Sequence, residues 1–81
     1  MKEKDLINLG FERNNVSPEE SGEQKTIYYY TYDFLGFCLI TDCDNDIQND
    51  VWSVYIFEYE HIKFTKLKQV IKFIRLLKKT Q

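Results

Sequence analysis

The chain has 81 residues, of which 43% are hydrophobic and 30% are charged, and its formal net charge is -2. This length supports one hydrophobic core, so we expect a single α+β domain over residues 1–81 and exclude a second domain. The sequence has no run of about 18 apolar residues, and its N-terminus carries acids where a signal peptide would be apolar. A cytoplasmic protein is therefore expected.

The N-terminal segment predicts a short helix. In "KEKDLINLGF", Leu6, Ile7 and Leu9 cluster, and Gly10 suits the left-handed residue that ends many helices. A short strand is expected to begin near Phe11. The next segment, "NNVSPEESGEQ", contains the only proline and is predicted to be a surface loop.

The central part of the chain predicts an antiparallel meander. Three segments are rich in aromatic and β-branched residues, namely "TIYYYTYD", "GFCLIT" and "VWSVYIFEYE", and a brief "HIKF" is expected to extend the sheet edge. Side chains alternate along a strand, so Tyr28, Tyr30 and Tyr32 share one face of the first segment. We predict that these three tyrosines form an aromatic surface that binds a partner.

The C-terminal segment predicts a long helix that begins at Lys66, with Thr65 as its N-cap. Its helical spacing gives an apolar stripe suited to a sheet face, formed by Leu67, Val70, Ile71, Ile74 and Leu77. The predicted fold class is therefore α+β. We expect a three- to four-stranded antiparallel meander, a short N-terminal helix and a long C-terminal helix packed on one sheet face.

The loop "TDCDNDIQND" places four aspartates within ten residues: Asp42, Asp44, Asp46 and Asp50. The first three match the leading carboxylates of an EF-hand calcium loop, but Ile47 stands at its glycine position and Ser53 at its final glutamate position. We favour a solvated connection between strands over a calcium site. The alternative function is an acidic surface that binds a basic partner.

Residue types typical of catalysis and metal binding are few. The sequence contains two cysteines, Cys38 and Cys43, and one histidine, His61. These three residues are too few to supply the four ligands of a closed zinc site. We predict that Cys38 is a small core residue and that Cys43 is a loop thiol. The sequence has no Ser-His-Asp, Cys-His or glycine-rich phosphate-binding pattern, so we expect no enzymatic activity, no metal and no cofactor.

Charge is strongly divided along the chain. Residues 1–60 contain all thirteen acids and four basic residues, a balance of -9, whereas the remaining residues contain seven basic residues and no acid. This asymmetry predicts two surfaces of opposite charge. We expect the basic side chains of the last helix to bind a partner or RNA; they are Lys66, Lys68, Lys72, Arg75 and Lys79.

Two further features of the sequence leave alternatives open. Phe73 and Leu76 widen the apolar arc of the last helix, and we favour packing against the N-terminal helix over a seam for a partner or a second copy. Basic charge beside tyrosines also suits an RNA-binding module, because rings stack on unpaired bases. Asp33, Glu58 and Glu60 would repel phosphates, which makes this module the alternative.

Nearly the whole chain resembles a group of small bacteriophage and prophage proteins. The resemblance rests on a leading "LGF", a "VSPEESG" loop, a "YYYTYD" strand, a W-x-V-x-I-F strand and an I-K-F-T segment before the final helix. Where similar proteins tend to have acidic residues at the start of that helix, this chain has Lys66 and Lys68.

The resemblance implies a function in host defence. Small phage proteins without an active-site motif are often inhibitors of such systems, so the resemblance implies an anti-CRISPR protein directed at a Cas13-type RNA-guided RNase. We therefore expect a non-enzymatic phage accessory protein that binds and inhibits a host ribonucleoprotein in the host cytoplasm. An RNA-binding module and a homodimeric interaction domain are the alternatives.

Overall fold

The computed structural model describes residues 1–79, in which five strands form one antiparallel sheet. The elements in chain order are α1 (Glu3–Leu9), β1 (Glu12–Val16), α2 (Pro18–Ser21), β2 (Ile27–Phe34), β3 (Phe37–Thr41), a 3-10 helix (Asp44–Asp46), β4 (Val54–Ile56), β5 (Tyr59–Phe64) and α3 (Leu67–Lys79). The predicted α+β class and the helices at both ends of the chain are confirmed. The sheet has five strands, more than the three or four that were predicted.

Each strand of the sheet pairs with its neighbour in the chain, in the order β1-β2-β3-β4-β5. The short strand predicted near Phe11 is β1, and it extends through Asn14–Val16, which the sequence assigned to a loop. Asparagine is a poor strand former, but β1 pairs along β2 from Glu12 opposite Thr31 to Val16 opposite Ile27. Pairing with the tyrosine-rich strand therefore overrides the weak local preference.

An additional strand arises because the segment "VWSVYIFEYE", predicted as one strand, is divided between β4 and β5. Ile56 pairs with Tyr59 across a turn formed by Phe57 and Glu58. Glu58 has a φ of 72°, a left-handed conformation that glycine or asparagine usually supplies. The turn lacks these residue types, so the sequence pattern did not reveal it.

The core lies between one face of the sheet and the two longer helices. The sheet and the loop before β4 contribute Tyr30, Leu39, Trp52, Val54 and Ile56, while the helices contribute Leu6, Val70 and Ile74. Strand alternation places Tyr29, Thr31, Ile40 and Tyr55 on the opposite face of the sheet, where they are half-buried.

The helix termini follow two different patterns. Gly10 ends α1 with a φ of 98°, as its position predicted. Before α3, the side chain of Gln69 accepts hydrogen bonds from the backbone N–H groups of Thr65 and Lys66, each at 3.1 Å. The helix begins at Leu67, so the predicted N-cap position of Thr65 is wrong by one residue. No helix within residues 1–79 has the length and hydrophobicity needed to cross a membrane.

Candidate interaction surfaces

The tyrosines of the predicted aromatic surface face the core. Tyr30 is only 2% exposed, and its hydroxyl group donates a hydrogen bond to the carboxylate of Glu3 in α1. Tyr28 and Tyr32 are half-buried and pack against the same core. The prediction of an exposed tyrosine surface is therefore wrong for Tyr30, because α1 and α3 cover this face of the sheet.

Tyr28 lies between a cation and an indole ring. The guanidinium of Arg13 is 3.6 Å from the centre of the Tyr28 ring, and the Trp52 ring stacks on Tyr28 with a centroid distance of 6.3 Å. Burial, together with the nearby Glu3 carboxylate, raises the pKa of both Tyr28 and Tyr30 above the usual value of 10.0. These phenols stay neutral at physiological pH and join β1, β2 and α1.

Two of the four loop aspartates serve the fold. The carboxylate of Asp44 accepts a hydrogen bond from the backbone N–H of Tyr28 at 2.8 Å. The carboxylate of Asp50 accepts from the indole N–H of Trp52 at 2.9 Å and from the backbone N–H of Glu3 at 3.1 Å. Asp42 and Asp46 are exposed, and Asp50 is exposed as well but uses its carboxylate in these two contacts. The acidic surface that a partner could reach is therefore formed mainly by Asp42 and Asp46.

The cysteines and aspartates do not assemble into a metal centre in the part of the chain that the structure describes, where no three His, Cys, Asp or Glu side chains converge on one point. Cys38 and Cys43 are free and half-buried. Burial and the neighbouring Asp33 carboxylate raise the pKa of Cys38 to about 11. Burial and the loop aspartates also raise the pKa of Cys43, so both thiols are protonated near neutral pH.

The predicted basic residues lie exposed on and just before α3, and they are Lys66, Lys68, Lys72, Arg75 and Lys79. Lys68, Lys72 and Arg75 line a shallow groove along the helix. The loop carboxylates hydrogen-bond to backbone, indole and amide groups, and none of these bonds within residues 1–79 reaches a lysine of α3. The 3-10 helix contacts β2, whereas α3 contacts β5. Opposite charges thus lie beside different strands.

A cluster of apolar side chains joins α3 to the sheet edge. The Phe73 ring packs against Phe64 at a centroid distance of 5.3 Å and against Phe37 at 6.1 Å, while Leu76 is 60% exposed. The expectation that Phe73 and Leu76 pack on the N-terminal helix is therefore wrong, because the Phe73 ring contacts β5 and β3 and Leu76 is mostly exposed. We call Phe37, Phe64, Phe73 and Leu76 the apolar patch.

Sequence reasoning did not single out Phe37 as part of a surface. Its position two residues before Leu39 places both side chains on the helix-covered face of β3, but near the end of the strand Phe37 remains 43% exposed. The strand alternation could have identified its face, although not its exposure. No protein-family model, curated protein or solved structure matches this chain.

Proposed function

We propose that this chain is a non-enzymatic phage accessory protein that binds and inhibits a host-defence ribonucleoprotein of the Cas13 type in the host cytoplasm. The class of partner follows from the resemblance to small phage proteins described above. The mode of binding is supported by one observation: within residues 1–79, the exposed cations of α3 and the exposed aspartates of the loop are not paired with each other.

Unpaired charge on separate surfaces suits a partner that itself carries both signs. A ribonucleoprotein has basic channels that hold nucleic acid, and the exposed Asp42 and Asp46 would complement the charge of such a channel. Lys68 and Arg75 of α3 can meet RNA phosphates or an acidic protein patch. Complementary charge raises the association rate and selects the partner.

The geometry gives less support to an independent RNA-binding module. Stacking on unpaired bases needs exposed rings beside the cations. Tyr30 is in the core, and Tyr29 and Tyr55 lie on the sheet face opposite α3. These three rings therefore do not share a surface with the cations of α3. Tyr32 and Phe73 do line grooves beside Arg75 and Lys72, but both rings are half-buried against the core, and we treat direct RNA binding as the lesser candidate.

The test is capture and inhibition of a purified Cas13-type effector loaded with guide RNA. One double variant, Asp42→Asn with Asp46→Asn, removes the exposed acids and leaves the structural Asp44 and Asp50 in place. Matched exposed acids elsewhere, Glu12→Gln with Glu19→Gln, provide the control for this change.

A second double variant reverses two charges of the basic face, Lys68→Glu with Arg75→Glu, and its control is Lys4→Glu with Lys25→Glu. We expect both test variants to lose inhibition of the RNase and both controls to retain it. Inhibition that survives both test variants contradicts the charge-based mode of binding. Failure of the unmodified chain to bind the effector contradicts the proposed function.

A further inference from the structure

The apolar patch combines two well-exposed side chains with two half-buried rings. Leu76 and Phe37 are 60% and 43% exposed, and the Phe73 ring contacts both Phe37 and Phe64. A groove on one side of the patch is lined by Phe64, Phe73 and Leu76. Contiguous exposed apolar surface of this kind usually marks a site of association.

Positive charge surrounds the helical half of the patch. Lys72 lines the groove formed by Phe64, Phe73 and Leu76. Arg75 and Lys79 line an adjoining groove with Lys72 and Leu76. Leu76 is therefore an apolar contact point with three cations around it.

This charge argues against a second copy of the chain as the occupant. In a twofold dimer the same patch faces itself, so a contact centred on Leu76 would bring Lys72, Arg75 and Lys79 of the two copies together. Like charges at such distances repel, and their repulsion grows as the contact excludes water. The occupant that fits best is apolar at its centre and negatively charged at its margin.

We propose that the apolar patch docks an acidic amphipathic segment of a partner protein, with apolar side chains over Leu76 and Phe37 and carboxylates beside Lys72 and Lys79. Helix-in-groove binding is a common use of such surfaces, in which apolar anchors enter the groove and flanking charges fix the orientation. The inference rests on the proposed function for the assignment of α3 to partner binding. It adds the chemistry of the segment that α3 contacts.

The experiment is selection of a displayed library of random peptides on the immobilised chain. We expect the enriched peptides to carry net negative charge and apolar residues at helical spacing. A selected peptide is then synthesised, labelled and titrated against the unmodified chain and three variants. These are Leu76→Ser, the double variant Lys72→Glu with Lys79→Glu, and Ile7→Ser, which is a matched control because Ile7 is 55% exposed on α1.

We expect Leu76→Ser and the charge-reversed variant each to weaken peptide binding by about tenfold or more, because each removes one anchor of the interface. Ile7→Ser should bind as the unmodified chain does. Enrichment of neutral or basic peptides contradicts the inference, as does an equal loss of binding in Leu76→Ser and Ile7→Ser. Two other results would overturn the inference by assigning the patch to another occupant. One is a dimer in light scattering that Leu76→Ser dissociates, and the other is binding of single-stranded RNA that Leu76→Ser abolishes.

The outcomes separate this inference from the proposed function. Capture of the effector without an acidic selected peptide leaves the proposed function standing and removes the docking inference. An acidic peptide that needs Leu76, together with no capture of the effector, supports the docking surface and removes the proposed function.

Discussion

The hydroxyl group of Tyr30, at the buried centre of the sheet, donates a hydrogen bond to the carboxylate of Glu3 in the first turn of α1. The Tyr30 ring also lies edge-on to Trp52, with ring centres 5.5 Å apart. One buried side chain thus contacts both α1 and the loop before β4. We expect it to fix the position of α1 on the sheet.

Replacement of Tyr30 by phenylalanine removes the hydroxyl group and keeps the ring. The Glu3 carboxylate then loses this buried hydrogen bond, and the free energy of unfolding should fall by about 1–3 kcal/mol. Urea denaturation measures the change. Tyr29→Phe, on the opposite sheet face, should stay within about 0.5 kcal/mol of the unmodified chain. Equal losses in the two variants would contradict the structural role of the hydroxyl.

The same phenol predicts a loss of stability at alkaline pH. Burial and Glu3 raise the pKa of Tyr30 above 10.0 in the folded chain, so folding favours the neutral phenol. Its contribution is complete below about pH 10 and disappears as the pH rises through the folded-state pKa. In urea denaturation, the stability difference between the unmodified chain and Tyr30→Phe should shrink above pH 10. A difference that is constant to pH 11.5 would refute this linkage.

Cys38 should react slowly with thiolate-directed reagents. Its pKa is raised from 9.0 to about 11, first by burial and then by the Asp33 carboxylate. In a Cys43→Ser background, the rate of alkylation by iodoacetamide should rise about tenfold per pH unit from pH 8 to pH 10, because only the thiolate reacts. Asp33→Asn should shift this profile to lower pH. A rate that levels off near pH 9 would show an ordinary thiol.

Two neighbouring apolar residues of α3 should differ sharply in their effect on stability. Ile74 is 7% exposed and belongs to the core, whereas Leu76 is mostly exposed. Ile74→Ala should lower the free energy of unfolding by about 2–5 kcal/mol, through lost burial and the cavity that remains. Leu76→Ala should change it by less than about 0.5 kcal/mol. A large loss in Leu76→Ala would mean that Leu76 is packed in solution.

The turn between β2 and β3 offers a stabilising substitution. Phe34 pairs with Phe37 across Leu35 and Gly36, which have φ values of 51° and 82°. Leucine is costly in this left-handed conformation, and asparagine tolerates it better. Leu35→Asn should raise the free energy of unfolding by about 0.5–1 kcal/mol. Leu35→Val places a branched Cβ in this conformation and should lower the free energy of unfolding. If the Val variant is more stable than the Asn variant, the left-handed conformation of residue 35 is contradicted.

The sequence predicted the fold class better than it predicted the surfaces. Alternation along "TIYYYTYD" indicated a strand correctly, but its two faces are almost equally aromatic. Only the positions of α1 and α3 decide that Tyr30 is buried and Tyr29 is not. The same ambiguity led the sequence to assign the buried Tyr30 to an exposed surface.

The loop aspartates show why charge alone does not define a site. All four have the same side chain, yet two of them accept hydrogen bonds that hold the fold together. Asp44 accepts from the backbone N–H of Tyr28, 16 residues away. Asp50 accepts from the backbone N–H of Glu3, 47 residues away, and from the indole N–H of Trp52. Such partners depend on tertiary structure. Asp42, Asp46 and Asp50 have the exposure that the sequence assigned to the whole set, whereas Asp44 is half-buried.

The order of the strands has a consequence for how the chain folds. Every strand pairs with the next one along the chain, so each pairing closes only a short stretch of backbone. The sheet can form hairpin by hairpin, and folding topologies with mostly local pairings are fast. Among the hydrogen bonds of residues 1–79, the longest closures are made by Met1, whose nitrogen donates to the carbonyl of Thr65 and whose carbonyl accepts from the backbone N–H of Trp52. We expect docking of the N-terminal segment to be the slow, late event, and substitutions there to accelerate unfolding more than they retard folding.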